Sequence, residues 1–519
     1  MQGTRRPLRP PFPALLGILL SGTAAFGQAA PSDAPGGALA LRGTGSTTAV
    51  ALPPPSDPVA APGPAVAKPR PGGRAPKPAT RRTGRATAAL QGNPAYAIRP
   101  TLTAPGTVAD VQPQLNGVPD PILVGGPAGP GGRPPLRRTT EDDPYAPLGI
   151  RAGGLMLYPV LGEAIGYETN PNRTVVGRGS FVSQTEGELA IRSDWTRHEV
   201  TGYLRGAWNE YPSEPAASRP EGAGRINARI DVERDTAVTL EGRYLIDTQR
   251  GDSANLLTAV RTRPVVYNEG ATIGVSHRFN RLIASVQATF DRADFEDAIS
   301  ASGIRIDQSD RAVSQYGAKG RLGYELKPGL VPFVELLGDT RIYDRRVDNG
   351  GFARSSDGFG GRIGTTFEIT RLVSGEIGAG AINRSYEDPR LGNLTSPLVD
   401  ASVLWAVSPL TTVRATASAT VDETTYVGAN GVRTLRGALE VAHTLRRNLI
   451  VTAGLSAVDF QYAGIGLNEH GFGASLRADW KLNRLVGLRA SYAYERLDSQ
   501  IAGASYATNI FLVGMRLTP

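Results

Sequence analysis

The stretch FGASLRADWKLNRLVGLRASYAYE, residues 472–495, decides the fold of this chain. Over residues 472–482 every second residue is apolar, and the residues between them are glycine, serine or charged. A period of two predicts a β-strand, because successive side chains of a strand point to opposite faces. The alternation resumes over residues 486–495, so the stretch predicts a β-hairpin.

The two halves of this hairpin also predict its register. Residues that face each other across a hairpin share a face of the sheet. Apolar positions are even-numbered in both halves, so the turn must hold an odd number of residues, most simply residues 483–485. This register places Asp479 opposite Arg489 and Trp480 opposite Leu488. The hairpin alone leaves open whether its apolar face meets a protein core or lipid.

The amino-acid composition limits the chemistry that this chain can perform. The 519-residue chain contains no cysteine and four histidines, which excludes disulfides and thiolate sites. We therefore expect no metal and no cofactor. The histidines lie at or beside turns and loops, and the adjacent Ser276 and His277 point to opposite faces of a strand, so we also expect no enzymatic activity. The formal charge of +8 is uneven: residues 1–30 contribute +3, residues 31–140 contribute +8 and residues 141–519 contribute −3. The positive charge lies at the front of the chain, so we expect no nucleic-acid partner.

The front of the chain has the pattern of a secretory signal peptide. Arg5, Arg6 and Arg9 precede an apolar run over residues 12–26, and a small-x-small cleavage site ends at Ala29. The arginine pair leaves the twin-arginine route open as an alternative. A membrane anchor is the other alternative, but the run is shorter than the roughly 18 apolar residues of a spanning helix. Residues 1–29 are thus predicted to direct export by the general secretory route.

Residues 30–140 are predicted to be a disordered, basic linker rich in proline, alanine and glycine. Residues 31–140 hold 22 of the 40 prolines and one aromatic residue, Tyr96. Such a segment cannot bury enough apolar surface to offset the entropy lost on ordering. The simple interpretation is a solvated tether in the periplasm. The alternative is contact with peptidoglycan or another anionic surface through basic residues of 31–140, among them Lys68, Arg70, Arg74, Lys77, Arg81, Arg82 and Arg85.

From residue 141 to the C-terminus, alternating segments are separated by tight polar turns and longer polar stretches. The tight turns lie near Asp194, Arg234, Asn280, Lys327, Thr370, Ser408, Arg447 and Asn483. Short turns at one end and long loops at the other are typical of outer-membrane barrels. Eight turns and nine loops connect eighteen strands. The pattern predicts an all-β fold, a transmembrane antiparallel up-and-down β-barrel of about 18 strands (16–18) over residues 141–519.

The composition of the two strand faces predicts which face meets lipid and which faces the lumen. The apolar face is light in bulk and carries aromatic residues near strand ends, as expected for a surface in lipid with an aromatic girdle. The girdle candidates are Trp480, Tyr492 and Tyr494. The polar face would then line a lumen, where charged residues influence ion preference. The lumen candidates are Arg205, Glu241, Arg243, Asp291, Glu376, Arg414, Asp479, Arg489 and Glu495. The alternative is that these acids and bases only pair across strands and stiffen the wall.

The C-terminal sequence NIFLVGMRLTP predicts a last strand over residues 506–517. Outer-membrane barrels tend to end in a strand of the form Gly-x-x-apolar-x-aromatic. Gly514 and Leu517 fit this form, but Pro519 stands where the aromatic residue is expected.

Residues 147–170 resemble the first strand of a family of Gram-negative outer-membrane proteins described as putative β-barrel porin 2. The matching residues are Gly149, Arg151, Gly153, Gly154, Leu155, Leu157, Pro159, Gly166, Tyr167, Glu168 and Asn170, with glutamate where the family more often has aspartate. The resemblance implies an integral protein of the outer membrane, in contact with its lipid and inserted by the barrel-assembly machinery. It also implies a porin-like channel for passive diffusion of small hydrophilic solutes. The alternatives are an outer-membrane component of exopolysaccharide export and a plugged structural or adhesive barrel.

Overall fold

The computed structural model describes residues 145–249, 260–262, 264–300, 302–370, 372–422 and 424–519. The predicted signal peptide, residues 1–29, and the predicted linker, residues 30–140, lie outside the described residues. Among the described residues, no helix has the length and apolar character needed to cross a membrane.

Eighteen long strands form one closed antiparallel barrel, which confirms the predicted fold class and strand number. In chain order they are β2 (Leu155–Glu168), β3 (Ser180–Ser193), β4 (Glu199–Glu210), β5 (Arg219–Asp231), β6 (Thr236–Thr248), β8 (Val265–Phe279), β9 (Leu282–Phe295), β12 (Val313–Tyr324), β13 (Leu330–Tyr343), β14 (Ser356–Thr370), β15 (Val373–Tyr386), β16 (Leu394–Ser408), β17 (Thr411–Asp422), β18 (Gly431–Arg446), β19 (Leu449–Ala463), β20 (Leu467–Lys481), β21 (Val486–Ser499) and β22 (Tyr506–Leu517). The bounds of β22 coincide with the predicted last strand.

Four short strands and two single 3-10 turns complete the described secondary structure. The strand β1 (Ile150–Ala152) pairs with the start of β2. The strands β7 (Val260–Thr262), β10 (Ala298–Ser300) and β11 (Arg305–Ile306) form a separate three-stranded sheet in the loops that flank β8 and β9. The 3-10 turns are Pro215–Ala217 and Ser309–Arg311.

Each barrel strand pairs with its neighbours in sequence, and β2 closes the barrel by pairing with β22. All eight predicted tight turns join consecutive strands at one end, and the connections at the other end are longer except for residues 464–466 between β19 and β20. The alternation of short and long connections confirms the up-and-down topology. Both β2 and β22 meet the turn end, because β2 begins there and β22 ends there.

The hairpin of β20 and β21 has the predicted register. Asp479 pairs with Arg489 and Trp480 with Leu488. In the three-residue turn, the side-chain Oδ1 of Asn483 accepts hydrogen bonds from the backbone N–H groups of Leu485 at 2.8 Å and Val486 at 2.9 Å. An asparagine that bonds the backbone two residues ahead is a local turn signal, which explains why this turn is readable from sequence.

The stretch at residues 147–170, which resembles the first strand of the family, forms two strands instead of one. The backbone turns at Gly153, whose φ is +61°, and β1 folds back on β2 with Ala152 opposite Leu155. A glycine adopts this left-handed conformation without the steric cost that a Cβ brings. The first long strand therefore begins at Leu155, with a short hairpin in front of it.

The outer face of the barrel is an exposed apolar belt. Trp480 is 48% exposed, Leu476 is 50% exposed and Phe511 is 50% exposed, and each lies on the face opposite to the charged residues of its strand. A protein in water rarely exposes a continuous apolar surface of this extent. The belt is the surface expected of a barrel in a lipid bilayer.

Candidate functional site: the inner wall of the barrel

The inner wall consists of the strand residues that point away from the apolar belt. Strand β6 shows the alternation: Leu240 and Tyr244 are exposed on the outside, and Glu241 and Arg243 point inward. Arg243 Nη1 lies 3.0 Å from Glu241 Oε1, and Arg243 Nε donates to Asp291 Oδ1 of β9 at 2.9 Å. Three of the predicted lumen residues thus form one connected group.

A second group lies on strands β12 to β15. Arg321 of β12 reaches Glu376 of β15, three strands away, with Nη2 and Oε1 2.7 Å apart. The same arginine donates from Nε to Glu335 Oε2 at 2.9 Å, and Arg362 Nε lies 2.8 Å from the other oxygen of Glu335. The predicted residue Glu376 is therefore held by Arg321, which is not among the predicted lumen residues.

A third group joins β20 and β21 to β3 and β4. Asp479 Oδ1 accepts from Arg489 Nε at 2.8 Å, and its other oxygen lies 2.8 Å from Arg477 Nε. Arg489 Nη1 also lies 3.4 Å from Glu186, and Arg205 Nη2 lies 3.4 Å from the same carboxylate. The predicted residues Arg205, Asp479 and Arg489 meet here around Glu186, which is itself buried.

Glu495 belongs to a fourth group at the loop end. Arg173, in the connection between β2 and β3, lies 3.0 Å from Glu495 and 3.4 Å from Glu168. Burial alone would lower the pKa of Arg173, but the two carboxylates hold that pKa well above its ordinary value. Tyr211 donates to Glu168 in the same group, and burial together with this carboxylate raises the pKa of the tyrosine. The connection between β2 and β3 therefore packs Arg173 against the inner wall.

Arg414, the remaining predicted lumen residue, lies directly across from Glu440 in the pairing of β17 with β18. Two like charges directly across from each other destabilise a sheet, whereas Arg414 and Glu440 carry opposite charges.

The three girdle candidates lie on the outer face. Tyr492 packs on Phe511 with ring centroids 4.8 Å apart, and Tyr494 packs on Phe472 with centroids 6.5 Å apart. Trp480 lies at the turn end of β20, and the two tyrosines lie further toward the loop end of β21. Aromatic residues at the ends of a lipid-facing belt are typical of membrane barrels. Of the three candidates, Trp480 lies nearest to a strand end, whereas Tyr492 pairs with Leu476 in the middle of its strand.

Some inward residues outside the predicted lumen set belong to the same charge networks. Glu186 and Glu188 occupy alternate positions of β3, within the run SQTEGELAIRS, and Arg516 follows the same alternation in β22. The period of two in these strands would have placed all three on the inner wall. The period of two does not predict the contacts among these three residues, because the contacts join strands that are not consecutive.

Among the described residues, no group of three or more His, Cys, Asp or Glu side chains could hold a metal ion. The chemistry that the described inner wall offers is that of charged and hydrogen-bonding side chains.

Comparison with known proteins gives the family. The model of the family "Putative beta-barrel porin 2" matches residues 143–518. The chain belongs to this family. Together with the barrel and its apolar belt, this membership identifies an outer-membrane β-barrel protein. No curated protein matches the chain.

Solved outer-membrane structures resemble the chain only distantly. The ferric enterobactin receptor PfeA of Pseudomonas aeruginosa has 9% identity and a TM-score of 0.36, covering 70% of this chain and 80% of that one. The siderophore receptor PirA of Acinetobacter baumannii has 8% identity and a TM-score of 0.36, with coverages of 70% and 80%. The copper transporter OprC has 10% identity and a TM-score of 0.38, with coverages of 71% and 82%. Similarity at this level carries no information about cargo.

Proposed function

We propose that this protein is a porin-like channel for the passive diffusion of small hydrophilic solutes across the outer membrane. The observation that carries the proposal is the contrast between the two faces of the barrel. The outer face is apolar and exposed, whereas the inner wall carries arginine and carboxylate groups at many positions. A polar interior is the feature by which wide membrane barrels accommodate water and small solutes.

The arrangement of these charges supports weak selectivity. Most inward arginines have a carboxylate within ion-pair distance, as in the pairs of Arg321 with Glu376 and of Arg489 with Asp479. Paired charges present little net field to a passing ion, so size would be the main filter and lumen electrostatics a secondary one. The predicted lumen residues would then act together to set the shape of the channel.

The membrane orientation is part of the same proposal. We infer that the turn end faces the periplasm and the loop end faces the outside, as in other outer-membrane barrels. Both ends of the barrel domain lie at the turn end, so residues 30–140 would extend into the periplasm. There they would act as a tether or contact peptidoglycan. Outer-membrane lipid and, during biogenesis, the barrel-assembly machinery are the other expected partners.

A second candidate function, a plugged structural barrel, is favoured by one observation. Several inward arginines have almost no exposed surface, among them Arg341 at 0%, Arg384 at 0% and Arg477 at 2%. Inward side chains that are covered in this way leave less room for solute flow.

Conductance separates the two candidates. The mature chain, refolded and inserted in a planar bilayer, is expected to give discrete conductance steps that grow in proportion to salt concentration. A protein that is folded, by its resistance to unfolding in cold detergent and its β-type circular dichroism, yet gives no steps would reject the channel and favour the plugged barrel.

A further inference from the structure

The pairing of β16 with β17 stops before the loop end of the barrel. The last residue pair of their ladder is Val399 with Ala419, although β17 continues to Asp422. Strand β17 stays paired with β18 over this last part. Beyond Ala419 the hairpin of β17 and β18 therefore no longer continues the sheet that it forms with β16. We call its described residues, 420–422 and 424–432, the β17–β18 tip.

The outer face of the tip packs against the inner wall of the barrel. By strand alternation, Val421 and Gly431 lie on the same face as Leu435, which is exposed on the outside of β18. Val421 is nevertheless 2% exposed, and it clusters with inward residues of β13, β15 and β16. A Cβ at Gly431 would lie 2.8 Å from the side chain of Leu394, an inward residue of β16. The tip therefore lies inside the barrel.

The opposite face of the tip packs against strands β19, β21 and β22. Val432 is buried in a cluster with Phe460 of β19, Leu497 of β21 and Tyr506 of β22. Ala429, in the connection between β17 and β18, belongs to the same cluster and is 0% exposed. Connections between strands ordinarily lie at the protein surface. The tip is instead enclosed on both faces, and it fills lumen space at the loop end.

Two arginines of the β13–β14 hairpin hold the tip in this position. Arg341 of β13 donates from Nη2 to the backbone oxygen of Val421 at 3.0 Å. Arg354 donates from Nη1 to the backbone oxygen of Ala429 at 2.8 Å and from Nη2 to that of Tyr426 at 3.3 Å. Both arginine side chains are buried, and β13 lies four strands from β17 along the wall. These hydrogen bonds therefore span part of the lumen.

From this geometry we propose that the β17–β18 tip is a gate. Docked, the tip narrows the lumen at the loop end; undocked, it leaves a wider path for solutes. Because the tip forms no backbone ladder with β16, it can leave the lumen without opening the closed sheet. The effect on flow rests on the proposed channel, whereas the docking and undocking of the tip do not require conductance.

The first experiment measures undocking through a buried thiol. The chain contains no cysteine, so Ala429→Cys introduces a single thiol beneath Arg354. In the folded mature chain in detergent, this thiol should react slowly with a maleimide. Adding Arg354→Gln should speed the reaction by about tenfold or more, since two charge-assisted hydrogen bonds to the tip are lost. The matched control is Arg346→Gln in the same connection, whose side chain is 83% exposed and pairs with Glu387. Labelling should stay slow in this control.

The second experiment locks the docked tip reversibly. A Cβ at Gly350 would lie 3.7 Å from Cγ2 of Val427 in the tip, a separation at which two cysteines can form a disulfide. The Gly350→Cys, Val427→Cys pair should cross-link on mild oxidation, which a non-reducing gel detects. In a planar bilayer, the reduced pair should give conductance steps of two sizes, and oxidation should remove the larger steps. Val427→Cys alone is the control, and oxidation should not change its steps.

The outcomes separate the gate from the channel. Folded protein in which the pair does not cross-link, or in which Arg354→Gln labels no faster than the control, would overturn the docked tip. Equal conductance of the oxidised and reduced pair would overturn the gate and leave the channel standing. Faster labelling in Arg354→Gln, in protein that never conducts, would reject the channel and leave the docked tip standing. Should Arg354→Gln fail to fold, Arg354→Lys replaces it, because lysine keeps the charge but lacks the planar fork that reaches two oxygens.

Discussion

Arg489 of β21 bridges two carboxylates on strands that are far apart in sequence, Asp479 of the adjacent β20 and Glu186 of β3. Its Nε donates to Asp479 Oδ1 at 2.8 Å, and its Nη1 lies 3.4 Å from Glu186. Glu186 lies three strands away, across β22 and β2. The inner wall therefore contains charge networks that join non-adjacent strands as well as cross-strand pairs.

Loss of one member of this network should destabilise the barrel. In Asp479→Asn, Arg477 and Arg489 lose the carboxylate that both contact. Because a buried charge without its partner is costly, we expect the free energy of unfolding to fall by about 3 kcal/mol. Equilibrium urea unfolding in lipid vesicles measures this change.

The matched control is Asp498→Asn, which removes the partner of Arg496 from an exposed pair at the loop end. Exposed pairs contribute little because water screens them, so this variant should remain close to wild type. An equal loss in both variants would contradict the buried network.

A charge on the apolar belt should be far more costly than the loss of a side chain there. Leu476 lies on the outer face and is half exposed. Leu476→Arg is expected to lower the free energy of unfolding in bilayers by about 2–4 kcal/mol relative to Leu476→Ala, since an arginine near the middle of a bilayer must leave water. Urea titration of both variants in vesicles checks this, and equal stabilities would show that the belt does not face lipid.

Glu163 is a carboxylate on the outer face, between the exposed residues Leu161 and Ile165 of β2. Its only hydrogen bond within the described residues comes from Thr185 Oγ1, which donates to Glu163 Oε2 at 3.0 Å. Charged residues on a lipid face are destabilising, so Glu163→Leu should raise the free energy of unfolding by about 1 kcal/mol. The same urea titration applies, with Glu163→Gln as a polar control of similar shape. A stability loss in Glu163→Leu would mean that this carboxylate contacts protein.

The absence of cysteine from the chain makes orientation testable by labelling. Arg484→Cys places a thiol in the β20–β21 turn, and Val427→Cys places one in an exposed position of the connection between β17 and β18. A membrane-impermeant maleimide added to intact cells should label Val427→Cys and spare Arg484→Cys until the outer membrane is permeabilised. The reverse pattern would invert the proposed orientation.

Local signals explain why so much of the barrel could be predicted from sequence. The period of two predicted each strand and its outward face. Turn residues, such as Asn483 in the β20–β21 turn, predicted the connections between strands. Register followed from the same rule, which placed Asp479 opposite Arg489. These properties depend on residues within one hairpin.

The remaining features depend on barrel closure and on the reach of long side chains. Gly162 and Gly514 are far apart in sequence and lie close together only because β2 pairs with β22. Arg321 and Glu376 meet across three strands because both side chains extend along the inner wall. Arg173 reaches Glu495 from a connection whose path no periodicity predicts. No pattern within a single strand reports such contacts.

Single-channel recording tests the central claim most directly. The mature chain, refolded and added to a planar bilayer in potassium chloride, is predicted to give discrete conductance steps that scale with salt. Folded protein that inserts into the bilayer and remains silent over the whole voltage range would contradict the claim that this barrel is a channel.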